Sequence, residues 1–296
     1  MIRFGTNPIA WSSDDFPELG GKTSLETCLT EARQAGFEGI ELGSKFPREA
    51  ETLRPLLAHH GLALVSGWYS SQLLTRSVTE EIAAIEAHRR LLADMGCTVL
   101  IIAETTGAIH GDRSAPLAAR PRLTPEQIRG LARKLNEVGA YVSGFGMQLA
   151  YHHHMGTVIQ SEEDIRLLMG NAGPHLSLLL DTGHATFAGA DPVKIARDYR
   201  DRIAHIHCKD VRLAVCDEVR RQEWSFMEAV VAGVFTVPGD GDVPFAEVFA
   251  AMKPHRYEGW LVVEAEQDPL KANPARYAAL GYANLRRLAE AVGMLE

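Results

Sequence analysis

The chain has 296 residues, of which 46% are hydrophobic and 23% are charged, and its 30 basic and 38 acidic side chains give a formal net charge of −8. These proportions are typical of a folded protein and exclude a disordered or fibrous chain. The acidic balance argues against nucleic acid as a partner, because nucleic-acid-binding proteins concentrate Lys and Arg on one face. No run approaches the roughly 18 consecutive apolar residues of a membrane-spanning helix, so we expect no membrane partner either.

The N-terminal residues and the cysteines indicate a cellular compartment. Residues 1–5 lack the apolar core of a signal peptide and are typical of a first β-strand. The cysteines at positions 28, 97, 208 and 216 form no Cys-x-x-Cys pair and are too scattered for a disulfide scaffold. We therefore expect reduced thiols and a cytoplasmic protein.

Short apolar or β-branched runs alternate with longer amphipathic runs along the whole chain. Strict alternation predicts parallel strands, because a parallel neighbour requires a crossover connection, usually a helix. Eight such units favour a (β/α)8 barrel over an open doubly wound sheet, whose Gly-rich nucleotide-binding turn is also missing after the first strand. We therefore predict one α/β domain, a TIM barrel over residues 1–296. The predicted strands cover residues 2–7, 39–42, 63–68, 98–103, 147–152, 176–181, 203–209 and 260–264, and the predicted helices cover residues 24–35, 48–60, 80–95, 125–142, 161–170, 192–199, 244–252 and 274–292.

Two of the predicted connections are too long for simple turns. They cover residues 105–122, after the fourth strand, and residues 210–243, after the seventh. In a barrel, both connections belong to the C-terminal mouth, where catalytic loops lie. Residues 217–234 fit a lid over the mouth and a contact between subunits of a homo-oligomer equally well.

Six of the predicted strands end in side chains that bind metals or transfer protons. Because the C-terminal ends of barrel strands meet at one mouth, we expect these groups to converge there. A lone His or Asp at such a position is more often structural, but the fifth to eighth strands all end in good ligand types, which favours a metal site. The groups are Glu41, Glu104, His152, His153, His154, Asp181, His184, His205, His207, Lys209, Glu264 and Glu266.

Asp, His and Glu from separate strands are the ligands of a divalent transition metal such as Mn, Co or Zn. Side chains alternate along a strand, so His205 and His207 point the same way and Cys208 points to the helices. His207 is nearer the mouth and is therefore the better ligand. Glu264 and Glu266 likewise point the same way, and the strand period does not decide which of them is the metal ligand.

Three segments resemble the xylose-isomerase-like TIM barrels: Asp-Thr-Gly-His at 181–184, His-Ile-His-Cys-Lys-Asp at 205–210, and Tyr-Glu-Gly-Trp-Leu-Val-Val-Glu at 257–264. Members of that superfamily hold one divalent metal with Glu, Asp, His and Glu from strands five to eight. The resemblance implies Asp181, His207 and Glu264 as ligands. At the strand-five position, His152 stands where the family has Glu, so either His152 binds the metal, or this ligand is lost, or His154 replaces it.

Further segments, at residues 4–11, 39–43, 66–69, 151–157 and 235–241, resemble the inosose dehydratases of bacterial myo-inositol catabolism. The resemblance implies a small polyol ketone as substrate, with conversion of scyllo-inosose to 3D-(3,5/4)-trihydroxycyclohexane-1,2-dione and water. It also implies dependence on cobalt or manganese and a requirement for glutathione. A metal-dependent ketose isomerase or epimerase on the same barrel is the alternative.

Elimination of water from a hydroxyketone requires a polarised ketone, a base for the α proton and an acid for the departing hydroxyl. Histidine suits the last two tasks, because its ordinary pKa of roughly 6.5 allows both protonation states near neutrality. We therefore expect His184 and His154 to act as acid–base groups and Lys209 to orient the substrate or assist the leaving group. The residues expected to bind the substrate hydroxyls are Trp11, Glu41, Tyr69 and Glu104.

Overall fold

Eight parallel strands close into a barrel, as the alternation of strands and helices predicts. The computed structural model describes residues 1–255 and 257–295. Around the ring, the strands follow the order β1-β10-β7-β6-β5-β4-β3-β2, and β8 and β9 form a separate antiparallel pair at the mouth. The strands are β1 (Ile2–Thr6), β2 (Gly39–Leu42), β3 (Ala63–Ser71), β4 (Val99–Glu104), β5 (Gln148–His152), β6 (Leu176–Asp181), β7 (Ile203–Cys208), β8 (Asp210–Val211), β9 (Phe235–Thr236) and β10 (Gly259–Val263).

The helices surround the barrel, and several begin at capping residues that are visible in the sequence. Thr124 and Ser161 each form a capping box, with Gln127 and Asp164 respectively. None of the helices within the described ranges is long and apolar enough to cross a bilayer. The helices are α1 (Leu25–Ala35), α2 (Ala50–His59), α3 (Val78–Asp94), α4 (Pro125–Ser143), α5 (Glu162–Asn171), α6 (Thr182–Phe187), α7 (Pro192–Tyr199), α8 (Leu213–Gln222), α9 (Phe226–Val231), α10 (Phe245–Met252) and α11 (Pro274–Ala291).

Three of these helices were not predicted, and the first of them shapes the site. The Asp181 carboxylate accepts the His184 backbone N–H at 2.7 Å, which caps α6 directly at the end of β6. The other two, α8 and α9, lie inside the long connection after β7. Residues 210–243 are therefore a folded insertion, and an isolated bridge between Pro116 and Ser225 joins it to the connection after β4.

The barrel interior changes from apolar to polar along its axis. Two small apolar clusters, which include Ala150, Leu179 and Val262, pack separately from the main core. His152, Asp181 and Glu264 each follow one of these residues by two positions, so they point to the same face of their strands. The apolar layer is therefore the floor beneath the polar groups at the C-terminal mouth.

The insertion after β7 is anchored by one buried carboxylate. Asp210 accepts backbone N–H groups from Val211, Gly239, Gly241 and Val243 at 2.8 to 3.0 Å. The Asp210 side chain thus holds the turn after β9 against β8, where the insertion begins.

Replacing Asp210 by Ala should therefore destabilise the protein. Four backbone donors would lose their acceptor in a buried turn, and we expect a loss of about 3 kcal/mol in the free energy of unfolding. Urea unfolding followed by circular dichroism measures this loss. Asp217→Ala is the control, because Asp217 is exposed and its one ion pair among the described residues is an exposed pair with Arg220. Equal stabilities of the two variants would contradict this account of the anchor.

Candidate metal centre and active site

The ends of β6, β7 and β10 bring Asp181, His207 and Glu264 together, as predicted. His207 Nδ1 lies 3.4 Å from Asp181 Oδ2 and 3.0 Å from Glu264 Oε2, and all three side chains are buried. Each residue offers a donor atom within 4.8 Å of the other two. Two ligands bound at about 2.1 Å from one ion, with ordinary bond angles, lie about 3.0 to 3.4 Å apart. The spacing of these donors therefore fits a shared cation.

The contacts of His207 leave its Nδ1 for that cation. Its Nε2 lies 3.1 Å from Glu41 Oε1, and a carboxylate oxygen only accepts, so Nε2 carries a hydrogen. Nδ1 is buried and faces Asp181 and Glu264. Burial opposes a charge on the ring, but Glu264 and Glu41 raise the pKa of His207 well above its ordinary value. The pocket thus attracts positive charge to Nδ1, and the residues present fit a divalent metal, which would take the place of the Nδ1 proton.

Glu41 lies at the base of this cluster and holds two of its histidines. Its Oε1 accepts from both His205 and His207, at 2.8 and 3.1 Å. Its Oε2 accepts from the Asn7 amide at 2.7 Å, and the same amide donates to Glu264 Oε2 at 3.0 Å. Burial opposes ionisation, but His207 and His205 lower the pKa of Glu41 below its ordinary value, so it stays charged.

His152 adjoins the cluster from the side of β5. Its Nε2 lies 3.2 Å from Asp181 Oδ2, and burial lowers its pKa to about 4, which leaves the ring neutral. The donor atoms of His152, Asp181 and His184 lie close enough together to share a metal ion, and those of Asp181, His207 and Glu264 form a second such set. Asp181 belongs to both sets. The role of His152 as the fourth ligand in place of a carboxylate stays a prediction.

A buried ammonium lies beside the proposed ligands. Lys209 Nζ is 2.5 Å from Glu264 Oε1, 2.8 Å from Glu266 Oε2 and 2.9 Å from His184 Nε2. Burial opposes its charge, but Glu264, Glu266 and Asp181 raise the pKa of Lys209 above its ordinary value. Burial raises the pKa of Glu266 to about 7, although the Lys209 ammonium acts in the opposite direction.

The two predicted acid–base histidines differ in what their nitrogens contact. His154 Nδ1 lies 2.8 Å from the Met155 carbonyl oxygen, so it carries the hydrogen and leaves a lone pair on Nε2. His184 Nε2 is already in contact with Lys209. The rings stack with centroids 3.8 Å apart, and burial lowers the pKa of both histidines well below the ordinary value. Only His154 therefore presents a neutral ring with an available base.

A cavity of about 220 Å³ opens at the mouth above these groups. A larger cavity, of about 800 Å³, is lined by Met1, Tyr257 and Tyr282 and contains none of the clustered ligands. We assign the site by its chemistry and not by its size. The wall of the mouth cavity is formed by Asn7, Ile9, Asp14, Asp15, Glu41, Leu42, Ser44, Arg48, Trp68, Ile101, His110, His152, His154, His207, Glu264 and Glu266.

Three of the predicted substrate contacts lie outside the described wall of this cavity. The Trp11 indole N–H donates to Glu31 Oε2 at 2.6 Å. Glu104 accepts the Leu73 and Thr106 backbone N–H groups at 2.7 and 2.9 Å. The third, Tyr69, lies on β3 next to Trp68, which does line the cavity. The structure thus brings together the predicted metal and acid–base residues, with Glu41, but not these three.

A bulge in β3 explains why Trp68 and not Tyr69 faces the cavity. The pairing of β2 with β3 shifts by one residue between Ile40 and Leu42, and such a shift reverses the faces of the strand beyond it. The Trp68 ring consequently packs 5.1 Å from that of His152. This bulge was not predicted, whereas Asn7 was detectable as the last residue of the predicted first strand.

Comparison with known proteins agrees with this geometry. A family model described as xylose isomerase-like TIM barrel matches residues 29–288. The chain is 46% identical over 292 residues to the rhizopine catabolism protein MocC of Rhizobium meliloti, covering 99% of this chain and 90% of that protein. It is 44% identical over 279 residues to the inosose dehydratase of Geobacillus thermodenitrificans, covering 94% of each. A solved xylose isomerase domain protein from Alicyclobacillus acidocaldarius superposes with a TM-score of 0.69 at 18% identity, covering 99% of both chains.

The fold and the family match define a xylose isomerase-like TIM barrel, as the motifs indicated. The chain belongs to that family and, within it, to the group of the inosose dehydratases. The protein is accordingly an enzyme of the lyase class, which confirms the prediction from the sequence.

Replacing Glu41 by Gln should weaken metal binding. The amide has no charge and only one acceptor oxygen, so the Nε2–H of His207 loses its ionised partner, and loss of such outer partners typically costs about 10–100-fold in metal affinity. Isothermal titration with Co²⁺ measures the dissociation constant. Glu104→Gln is the control, because it alters a buried carboxylate outside the cluster. Unchanged affinity in Glu41→Gln would contradict this role.

Proposed function

We propose that this enzyme is a metal-dependent dehydratase of myo-inositol catabolism, which converts scyllo-inosose to 3D-(3,5/4)-trihydroxycyclohexane-1,2-dione and water. The observation that carries the proposal is the position of His207 Nδ1 between the carboxylates of Asp181 and Glu264, at the base of a cavity that His154 and Glu266 also line. The inosose dehydratases among the relatives, at 42–44% identity over 94% of this chain, support the choice of reaction.

The substrate is a ketone with a hydroxyl on its β carbon, which loses water through an enolate. Asp181, His207 and Glu264 hold a divalent metal, Mn or Co with Zn as a further option, which supplies Lewis-acid polarisation for the ketone. His152 is the fourth candidate ligand. Glutathione, which the family resemblance implied, has no support in the described residues or in the names of the relatives and is not part of the proposal.

The chain's own residues move the protons. His154 Nε2 removes the proton α to the ketone, because its lone pair is free and its ring lines the cavity. Glu266, also in the wall, gives a proton to the departing hydroxyl. Lys209 holds the Glu266 carboxyl in place at 2.8 Å, and His184 supports Lys209 from behind. The small polyol ketone is held by polar groups of the wall such as Asn7, Asp15 and Arg48.

Purified enzyme with Mn²⁺ or Co²⁺ should convert scyllo-inosose to a product with diketone absorbance. Asp181→Ala should lose bound metal and turnover together, because it removes a ligand, and elemental analysis with the absorbance assay measures both. Asp217→Ala, on an exposed helix, should keep both. Formation of an isomer of the substrate without loss of water would instead identify an isomerase or epimerase, and full turnover in the presence of a chelator would exclude metal dependence.

Replacing His154 by Gln should leave metal content unchanged and lower kcat. Removal of a general base costs about 10²–10⁴-fold in rate. His184→Gln is the comparison, and we expect a smaller loss, because the His184 Nε2 is bonded to Lys209 and does not face the cavity. A larger loss in His184→Gln than in His154→Gln would reverse the two roles.

A further inference from the structure

The groups around the Lys209 ammonium are of the kind that bind a divalent metal. Its three neighbours are Glu264 Oε1, Glu266 Oε2 and His184 Nε2, at 2.5 to 2.9 Å from Nζ. Two carboxylates and an imidazole form a common ligand set for zinc and other transition metals. An ammonium has three hydrogens to donate, and each has an acceptor here. Lys209 therefore occupies what is otherwise a cation site.

This position shares a ligand with the proposed metal site. Glu264 directs Oε2 to His207 Nδ1, at 3.0 Å, and Oε1 to Lys209 Nζ. A single Asp181 oxygen, Oδ2, lies 3.4 Å from His207 Nδ1 and 3.9 Å from Lys209 Nζ. Glu264 alone therefore has one oxygen on the side of the proposed metal ligands and the other on the ammonium, as a carboxylate shared by the two cations of a two-metal centre has.

The surrounding chain is shaped to hold the lysine. A Cβ on Gly183 would overlap the Lys209 side chain, so only glycine leaves room for it at that position. The Thr182 hydroxyl bonds the backbone of Lys209 on both sides, accepting its N–H at 3.1 Å and donating to its carbonyl oxygen at 2.8 Å. The Phe235 ring lies 4.5 Å from Nζ and covers the ammonium.

The charges of the cluster also favour an ammonium beside one metal ion. Glu41, Asp181 and Glu264, the three carboxylates that contact His207, are all buried at this end of the barrel. Buried carboxylates are costly unless they are paired, and one divalent ion balances only two of these three. The Lys209 ammonium supplies the third positive charge, whereas a second divalent ion would supply one charge too many.

We propose that Lys209 is the second cation of this centre: its ammonium fills a position that a second metal ion would otherwise take, so that removal of this side chain lets a second divalent ion bind. This assignment rests on the proposed metal-dependent function. Without the ammonium, His184, Glu266 and His154, whose donor atoms lie within 4.8 Å of one another, become free to bind an ion beside Glu264.

The test compares metal stoichiometry in the wild-type enzyme and in Lys209→Ala. Both proteins are saturated with MnCl₂, freed of excess metal and analysed by elemental analysis and Mn²⁺ electron paramagnetic resonance. We expect one ion per chain with an uncoupled spectrum for the wild type, and two ions with a spin-coupled spectrum for Lys209→Ala. Lys134→Ala is the matched control and should bind one ion, because Lys134 donates to the Leu73 and Arg76 carbonyl oxygens away from the cluster.

Two results would overturn the assignment: two ions in the wild type, or a single ion in folded Lys209→Ala at saturating Mn²⁺. If Lys209→Ala does not fold, Lys209→Ser, which leaves the same room and keeps a polar group among the carboxylates, takes its place and should bind two ions, and a single ion in folded Lys209→Ser would overturn the assignment. A wild type that turns over scyllo-inosose with one ion, beside a Lys209→Ala variant that also binds one, would refute this assignment and leave the proposed function standing. A wild type that binds no metal would refute both.

Discussion

The site depends on the hydrogen bonds that Glu41 accepts from His205 and His207. These bonds place hydrogens on the two Nε2 atoms and so leave His207 Nδ1, which faces Asp181 and Glu264, for a cation. Because the ring is held on one side by a charged acceptor, its orientation does not depend on an ion. The His207 ring is therefore oriented for metal binding before an ion is present, which is the general effect of a carboxylate that binds the far nitrogen of a metal-binding histidine.

Charge compensation explains the remaining polar groups of the barrel mouth. Buried carboxylates are stable only when hydrogen bonds and opposite charges replace water. Asn7 donates to Glu41 and Glu264 together, and Lys209 donates to Glu264 and Glu266. One network therefore joins β1, β2, β7 and β10, and it leaves His154 as the uncharged group beside the cavity.

Sequence patterns predicted the barrel and the metal-ligand residues for one reason. Strand period and strand–helix alternation are local properties, and in a parallel barrel they determine which residues reach the mouth. That reasoning brought Asp181, His207 and the pair Glu264 and Glu266 to the mouth without any contact information, and the family resemblance chose Glu264 from that pair. The same reasoning did not find the place of Trp68, because the bulge in β3 that turns this residue inward depends on the pairing with β2. Nor did it find α6, which Asp181 caps with the carboxylate that also faces His207.

The amino-acid sequence by itself determined the fold class, the family and the set of residues at the strand ends, because periodicity and motifs are written along the chain. Only the tertiary structure decided what each of these groups contacts. Glu41, predicted to bind substrate, lines the cavity and also accepts hydrogen bonds from two histidines of β7, whereas Trp11 and Glu104 bond to neighbours outside the cavity wall. Partners more than a hundred residues apart set the tautomers and charges of the site, and such pairings exist only once the barrel has closed.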